Sequence, residues 1–455
     1  MQFIELKIGN VLDKLKEIPD DSIDCIVTSP PYYGLRKYKA PDVIFGGDSA
    51  CEHEWQPAKL KLHYGESSLQ PEEKLLNKKM NPENNDHEKI ESNVCSKCDA
   101  WKGQLGLEPN YNLYLDNLLM VTAELKRVLK PTGTLWWNMG DSYVGGHQGG
   151  SIHPKNSAVI DAQEIPQRLQ GRPQSTVEGM QEKSLMQLPA RFAIRMADEQ
   201  GWILRNTMIW HKRNHLPSSV KDRLTNSYEF VFFFTKQKKY FFNLDAVRVP
   251  SKTGNGSEFG WAGIGNKRMG GNAQATTQVS KHILKNNILG KNPGDVLELT
   301  TQPFKSKVHF AVFPPKLPEF CIKAGSPEEV CSACGKPIVS IIERPKLPSW
   351  NKTSKIVEAQ NVSENSALRI GGPAYNKWKT EHPDVFKGTK PTCNCNAPFE
   401  PAVVLDPFAG SGTTMMVAKQ LGRSAIGIEI SLEYAELIKK RLIWGFDPNI
   451  EWKVD

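Results

Sequence analysis

Near the start of the chain, Ser29-Pro30-Pro31-Tyr32 sets a hydroxyl, two rigid backbone units and an aromatic ring directly after the apolar run SIDCIVT. Proline fixes φ and has no N–H, so this segment can continue neither a helix nor a central strand. Its serine oxygen and the Pro30 carbonyl could together accept both protons of one amino group. That pair of acceptors suits a particular chemistry. An amine conjugated with an aromatic ring is a poor nucleophile until its protons are held so that the lone pair leaves the ring plane and attacks in line. Tyr32 adds a flat face on which such a ring can stack. By itself the tetrapeptide reads first as a polyproline-like turn with an aromatic packed against it, so its meaning depends on the rest of the chain.

A second stretch, VVLDPFAGSGTT at residues 403–414, reads as a strand ending in Asp406, a turn through Gly410 and Gly412, and a helix from about Thr413. Glycines at such a turn let the backbone approach a ligand closely, and a helix N-terminus favours negative charge. Glu429 ends the next strand, 23 residues after Asp406, where an acid can accept hydrogen bonds from ribose hydroxyls. The turn departs from the G-x-G-x-x-G dinucleotide pattern, and no Gly-Lys-Ser/Thr follows it as in a phosphate loop. Glycines alone would mean only a tight turn; the two strand-end acids point to a nucleoside-bearing ligand.

Seven of the nine cysteines fall into two sets. Cys51-x-His53 with Cys95-x-x-Cys98 makes one, and Cys331-x-x-Cys334 with Cys393-x-Cys395 the other. Each supplies four soft or borderline ligands in close pairs across a long excursion, the pattern by which a structural zinc closes a loop that cannot bury its own core. The two remaining cysteines, Cys25 and Cys321, read as buried thiols.

The elements that must position these groups alternate. FIELKI, VLDKLKEI and SIDCIVT read as strand, helix and strand; YLDNLLMVTAELKRVL is a helix that Pro131 and Gly133 end before the strand TLWWNM. LPARFAIRMADEQ is a helix with Pro189 in its first turn, and WILRNTMIWH and YEFVFFFTK are consecutive strands. AVVLD, a helix, AIGIEI and a last helix close the chain. Strands alternating with helices predict an α/β sheet covered on both faces.

At 455 residues, 39% hydrophobic, 24% charged and +8 net, the chain is a large elaborated domain or a few modules, with a charge that suits either a polyanionic partner or a mildly basic enzyme. No apolar run approaches the ~18–20 residues of a membrane span. MQFIELKIGN lacks the features of a secretory signal, so a reducing cytoplasm and no membrane partner are expected.

Taken together, TSPPY and DPFAGSGTT resemble the S-adenosylmethionine-dependent DNA amino-methyltransferases, in the permuted β order where the catalytic loop precedes the cofactor loop. The resemblance covers most of the chain outside the inserts, including GLEPNYNLYLDNLLMVTAELKRVLKPTGTLWWNMGDSY and NPGDVLELTTQPFKSKVHFAVFPPKL. It implies a Rossmann-like, mostly parallel, doubly wound sheet with one antiparallel strand near an edge, plus the zinc-bound inserts. It also implies a division of the chain: 1–38 with 105–242 as the catalytic half, 301–324 with 400–455 as the cofactor half, 39–104 and 325–399 as zinc-closed inserts, and 243–300 as a candidate target-recognition region. By the same resemblance Ser29, Pro30, Pro31 and Tyr32 are catalytic. Asp406, Phe408, Gly410, Gly412, Thr413, Glu429, Asn10 and Phe310 hold S-adenosylmethionine, with the segment around Phe310 and Phe313 over its methionine end. Asn10 stands where many relatives carry aspartate.

Duplex DNA is the implied partner, in a bacterial or phage-encoded enzyme. The target nucleotide must be flipped out at a cost of a few kcal/mol, against which aromatic stacking returns about 1–3 kcal/mol. Arg36, Lys212, Arg213 and Arg223 are candidate phosphate contacts: over residues 201–250 five Lys and four Arg face two Asp and one Glu. Lys267 and Arg268 lie in a stretch, Phe259–Gly294, without an acidic residue, which reads as a linker or as a base-reading element. A serine at the first loop position favours cytosine N4 over adenine N6, which stays open. An RNA or protein amide methyltransferase and a DNA-binding relative without catalysis are the competing readings. No nuclease motif is present, so a restriction enzyme, where one accompanies the chain, is a separate protein.

Overall fold

The computed structural model describes residues 1–34, 38, 40–57, 93–144, 180–215, 217–218, 220–250, 291–301, 313–343, 381–382, 385–443 and 450–454. The chain begins with β1 (Gln2–Ile8), α1 (Val11–Lys16) and β2 (Ile23–Thr28), then four short strands, β3 (Val43–Phe45), β4 (Trp55–Pro57), β5 (Asn93–Cys95) and β6 (Trp101–Gly103). There follow α2 (Tyr111–Val128), β7 (Leu129–Met139), α3 (Leu188–Gln200), β8 (Ile203–His211), β9 (Tyr228–Thr235), β10 (Val296–Glu298) and α4 (Lys316–Gly325). The last part holds β11 (Glu329–Cys331), β12 (Ile338–Glu343), β13 (Val385–Pro391), β14 (Phe399–Pro401), β15 (Val403–Asp406), α5 (Thr413–Gln420), β16 (Ser424–Glu429), α6 (Leu432–Ile443) and β17 (Ile450–Val454).

The main sheet runs β10-β8-β9-β7-β2-β15-β16-β1-β17. Every pairing in it is parallel except those of β9, which runs against both β7 and β8. The expected mostly parallel sheet with one reversed strand is therefore present. Both faces are buried, as parallel sheets require, and the sequence shows how. Along β7, Leu135, Trp137 and Met139 pack with α1, α2 and α3, while Trp136 points the other way toward α4. Along β9, Phe232 and Phe234 join the first layer, and Val231 and Phe233 the second. Period-two alternation of two apolar sets is what a strand between two helical layers needs.

Three features differ from the sequence reading. Pro131 and Gly133 lie inside β7 rather than before it; the pairing with β2 shifts register between Ile23 and Cys25, and such an irregularity accommodates a proline that cannot donate to the ladder. The first insert is not wholly a polar excursion, because Phe45 and Trp101 stack at 5.7 Å and sit in the main core. Strand β17 adds an edge beside β1 that a short sequence ending in charged residues did not signal. Among the described residues no helix is long and apolar enough to cross a membrane.

Candidate active site

Parallel strands end on the same side of a sheet, so β1, β2, β15 and β16 deliver Asn10, Ser29, Asp406 and Glu429 to one edge. Because β9 is reversed, its first residues, Tyr228 and Glu229, arrive at that edge too. There they line one cleft of about 1240 Å³, together with Pro30, Pro31, Tyr32, Phe408, Gly410, Thr413, Lys212 and Arg223. Chain order reverses where β2 meets β15, the kind of switch point at which open α/β sheets bind ligands.

The pairing of β2 with β15 brings the two motifs together although 378 positions separate them. Thr28 Oγ1 donates to Asp406 Oδ1 at 2.7 Å, and the Phe408 amide donates to the same oxygen at 3.1 Å. Burial pushes the Asp406 carboxyl up to about 6 against these bonds. Glu429 is almost as buried. It accepts from the amides of Gly410 and Ser431, each at 2.8 Å, and burial pushes its carboxyl up to about 7. Gly412, at φ +74°, takes a left-handed conformation, and a side chain there would come within 3.1 Å of Ile438. Arg441 closes the loop from below, donating to the Ser411 carbonyl at 2.5 Å and to Thr413 Oγ1 at 3.2 Å. Two acceptor carboxylates, an open glycine turn and a helix N-terminus fit a nucleoside cofactor that offers ribose hydroxyls. Asn10 caps α1, accepting from the Leu12 amide at 3.3 Å, and its residue also lines the cleft.

On the β2 side of the cleft, Ser29, Pro31 and Tyr32 are each held by a hydrogen bond. Tyr114 donates to the Pro31 carbonyl at 2.9 Å, and Tyr33 stacks on Tyr114 at 5.3 Å in the core. Among the described residues nothing donates to the Pro30 carbonyl. The Tyr32 hydroxyl lies 3.2 Å from Ser29 Oγ, 3.2 Å from Asn138 Oδ1 and 2.7 Å from Glu229 Oε2. Burial, and then the charge of Glu229, hold the Tyr32 phenol well above its ordinary range, so it keeps its proton. Lys212 forms an ion pair with Glu229 Oε1. The lysine read from sequence as a phosphate contact thus holds a carboxylate at the floor of the cleft. Arg213 is exposed and 3.7 Å from Glu298, and the Arg223 guanidinium lies 3.8 Å over the Tyr143 ring. Phe313 lines the cleft; Phe310, Arg36, Lys267 and Arg268 lie outside the described residues.

Sequence reasoning passed over Glu229, Asn138 and Tyr114. Glu229 had a usable signal, a lone acid opening the apolar strand YEFVFFFT. Tyr114 had none, since an aromatic on an amphipathic helix reads as core.

Both cysteine sets are also assembled. In each, the four ligand atoms lie within 4.8 Å of one another; four ligands ~2.3 Å from a zinc ion in a tetrahedron stand about 3.7 Å apart. Cys51 Sγ is 4.0 Å from Cys95 Sγ, and Cys98 Sγ is 3.3 Å from His53 Nδ1. The two C-x-x-C turns share one shape: the residue after the second cysteine has positive φ, 57° at Asp99 and 66° at Gly335, and its amide bonds back to the first cysteine's carbonyl. Cys25 and Cys321 are fully buried, and burial pushes the Cys25 thiol up to about 12.

A family model described as DNA methylase matches residues 23–331 and 398–440, and the chain belongs to that family. The Type II methyltransferase M.Cfr9I of Citrobacter freundii is 26% identical over 442 residues, covering 97% of this chain and 88% of that protein. The Type II methyltransferase M.SmaI of Serratia marcescens is 26% identical over 437 residues, covering 96% and 89%. A solved PvuII DNA methyltransferase (cytosine-N4-specific) aligns over 99% of this chain and 89% of that one, at 16% identity and a TM-score of 0.45. The chain is an S-adenosylmethionine-dependent DNA amino-methyltransferase.

The packing of Tyr32 makes one prediction. A Cβ at Gly140 would stand 2.8 Å from Tyr32 Cε2, and the ring cannot retreat without breaking its bonds. Gly140→Ala is expected to slow methylation by about tenfold or more, the scale of loss that a displacement of about 1 Å within a reaction cleft can bring, while cofactor affinity, followed by titration calorimetry, stays within about twofold.

Proposed function

We propose that this enzyme methylates the N4 amino group of a cytosine flipped out of duplex DNA at a specific site. The observation that carries the reading is that Ser29 and Pro30 line the same cleft as Asp406 and Phe408, with the Pro30 carbonyl unpaired among the described residues. S-adenosylmethionine, when bound, supplies a methyl group on a sulfonium. Asp406, Phe408, Gly410, Gly412, Thr413 and Glu429 would hold it, with Asn10 and Phe313 at the margins. Ser29 and Pro30 accept the two protons of the target amine and turn its lone pair out of the ring plane; Pro31 holds the loop, and the flipped base stacks against Tyr32. No strong base is needed, because the amine proton becomes acidic once the methyl has transferred. Serine, rather than a carboxylate or amide, at the first loop position favours cytosine over adenine. Arg223, which lines the cleft, and the exposed Arg213 are phosphate contacts, with Arg36, Lys267 and Arg268 as further candidates on the segments that follow the loop and precede β10. Two structural zinc ions close the inserts, one on Cys51, His53, Cys95 and Cys98, the other on Cys331, Cys334, Cys393 and Cys395.

Base-resolved mapping of DNA methylated by the enzyme tests the assignment. N4-methylcytosine at one recurring sequence is expected, with loss of the signal in Ser29→Ala. N6-methyladenine instead would overturn the base, and neither mark above the Ser29→Ala control would sink the catalytic reading.

The buried Glu429 predicts a pH dependence. Its raised value means the folded protein holds this proton more tightly than the unfolded chain does, so ionisation costs stability as the pH climbs from 4.5 toward about 7. Ribose hydroxyls donate to the ionised form, so cofactor binding is coupled to loss of that proton. Affinity for S-adenosylmethionine should rise up to about tenfold per pH unit below pH 7 and level off above it. Glu429→Gln should remove the rise between about pH 6 and 7 while leaving what Asp406 contributes below it, and a wild-type affinity unchanged between pH 5.5 and 7.5 would remove Glu429 from the cofactor site.

For the inserts, elemental analysis of protein purified without added metal is expected to give two zinc per chain. Cys95→Ser or Cys334→Ser should each lower it to about one, as the loss of one ligand set requires.

A further inference from the structure

We infer that Glu229 is a positioning residue that sets the direction of the hydrogen bonds reaching Ser29, so that the serine oxygen meets the target amine only as an acceptor. The inference rests on the role proposed above for Ser29 and supplies what that role lacks. A serine hydroxyl carries one proton and rotates freely; pointed into the cleft, that proton would oppose the amine protons it is meant to receive.

Counting donors and acceptors gives the direction. The Lys212 ammonium can only donate, and it holds Glu229 Oε1. Paired in this way, the carboxylate can only accept. Its Oε2 lies 2.7 Å from the Tyr32 hydroxyl, so the single phenolic proton goes there, and the phenolic oxygen is left with lone pairs. One rival acceptor is present, Asn138 Oδ1 at 3.2 Å. Its orientation is fixed, because the same amide donates through Nδ2 to the Phe230 carbonyl at 3.0 Å. A neutral acceptor at 3.2 Å loses to a charged one at 2.7 Å. Ser29 Oγ, 3.2 Å from the phenolic oxygen, then donates its proton to Tyr32 and keeps its lone pairs for the cleft. The series Lys212, Glu229, Tyr32, Ser29 therefore has one polarity throughout. Both charged members are only partly exposed, 23% for the Lys212 side chain and 14% for Glu229, which protects the pair from competition by water.

Glu229→Gln tests this with little change of shape. In that variant Lys212 takes the amide oxygen and turns the NH2 toward Tyr32, whose proton is then shared between the weaker acceptors Asn138 Oδ1 and Ser29 Oγ, each 3.2 Å away, so the series loses its single polarity. Single-turnover methylation at saturating DNA and cofactor is expected to fall about tenfold or more, with both affinities within about twofold, as for an interaction that matters in the transition state. Tyr32→Phe should slow the reaction similarly, and adding Glu229→Gln to it should cost less than about twofold more, because residues acting through one contact are not additive. Adding Lys212→Met to Glu229→Gln frees the amide to turn its oxygen to Tyr32, and should raise the rate above that of Glu229→Gln alone, which a packing defect would not do. Losses that multiply in the Tyr32→Phe/Glu229→Gln pair, or a loss of DNA affinity at unchanged rate, overturn the inference. Should Ser29→Ala be inactive while those losses multiply, only the role of Glu229 fails; should Ser29→Ala keep the wild-type rate, the reading of Ser29 itself fails.

Discussion

The parallel pairing of β2 with β15, sealed by the 2.7 Å bond from Thr28 to Asp406, is the contact on which the rest of the molecule depends. In the reading proposed above neither motif can act alone: one offers acceptors to an amine, the other a turn for a nucleoside, and methyl transfer needs the two within a few ångströms of each other. Adjacent strands in a sheet stand about 4.8 Å apart, so making these two strands neighbours solves the positioning problem with backbone hydrogen bonds. The bond between their ends then fixes how the two loops leave the sheet.

That contact is expensive in charge. Asp406 and Glu429 are buried at neighbouring strand ends, and their repulsion adds to the burial that raises Glu429. Backbone amides from the glycine turn and the start of α6 offset part of the cost, and a cofactor with hydroxyl donors offsets more. Buried carboxylates with raised values of this kind are common at active sites. On the other side of the cleft the charges are paired instead. Lys212 and Glu229 neutralise each other beside the Tyr32 hydroxyl, so this side of the cleft carries a compensated charge.

The inserts follow a different logic. Their sequences are too polar to form cores of their own, and each gathers four ligand atoms at its neck. The first also lends Phe45 and Trp101 to the main core, so the residues beside its ligand set pack as part of the sheet's own helical layer.

Much was legible in the sequence because the physics involved is local. Proline in TSPPY, glycine in AGSGTT, an acid ending a strand and paired cysteines each restrict the backbone or offer a ligand within a few residues. Alternation in TLWWNM and YEFVFFFT likewise announced buried strands, since period two follows from the pleat itself. The sequence by itself thus determined the motifs, the ligand sets and the class of sheet. Tertiary structure alone decided that Glu229, at the start of the reversed β9, meets Tyr32, that Lys212 pairs with that carboxylate, that Tyr114 holds the Pro31 carbonyl, and that Pro131 lies within a strand. Those outcomes depend on which strands become neighbours and in what register, and contacts between separate elements leave no periodicity for a reader of the chain to find.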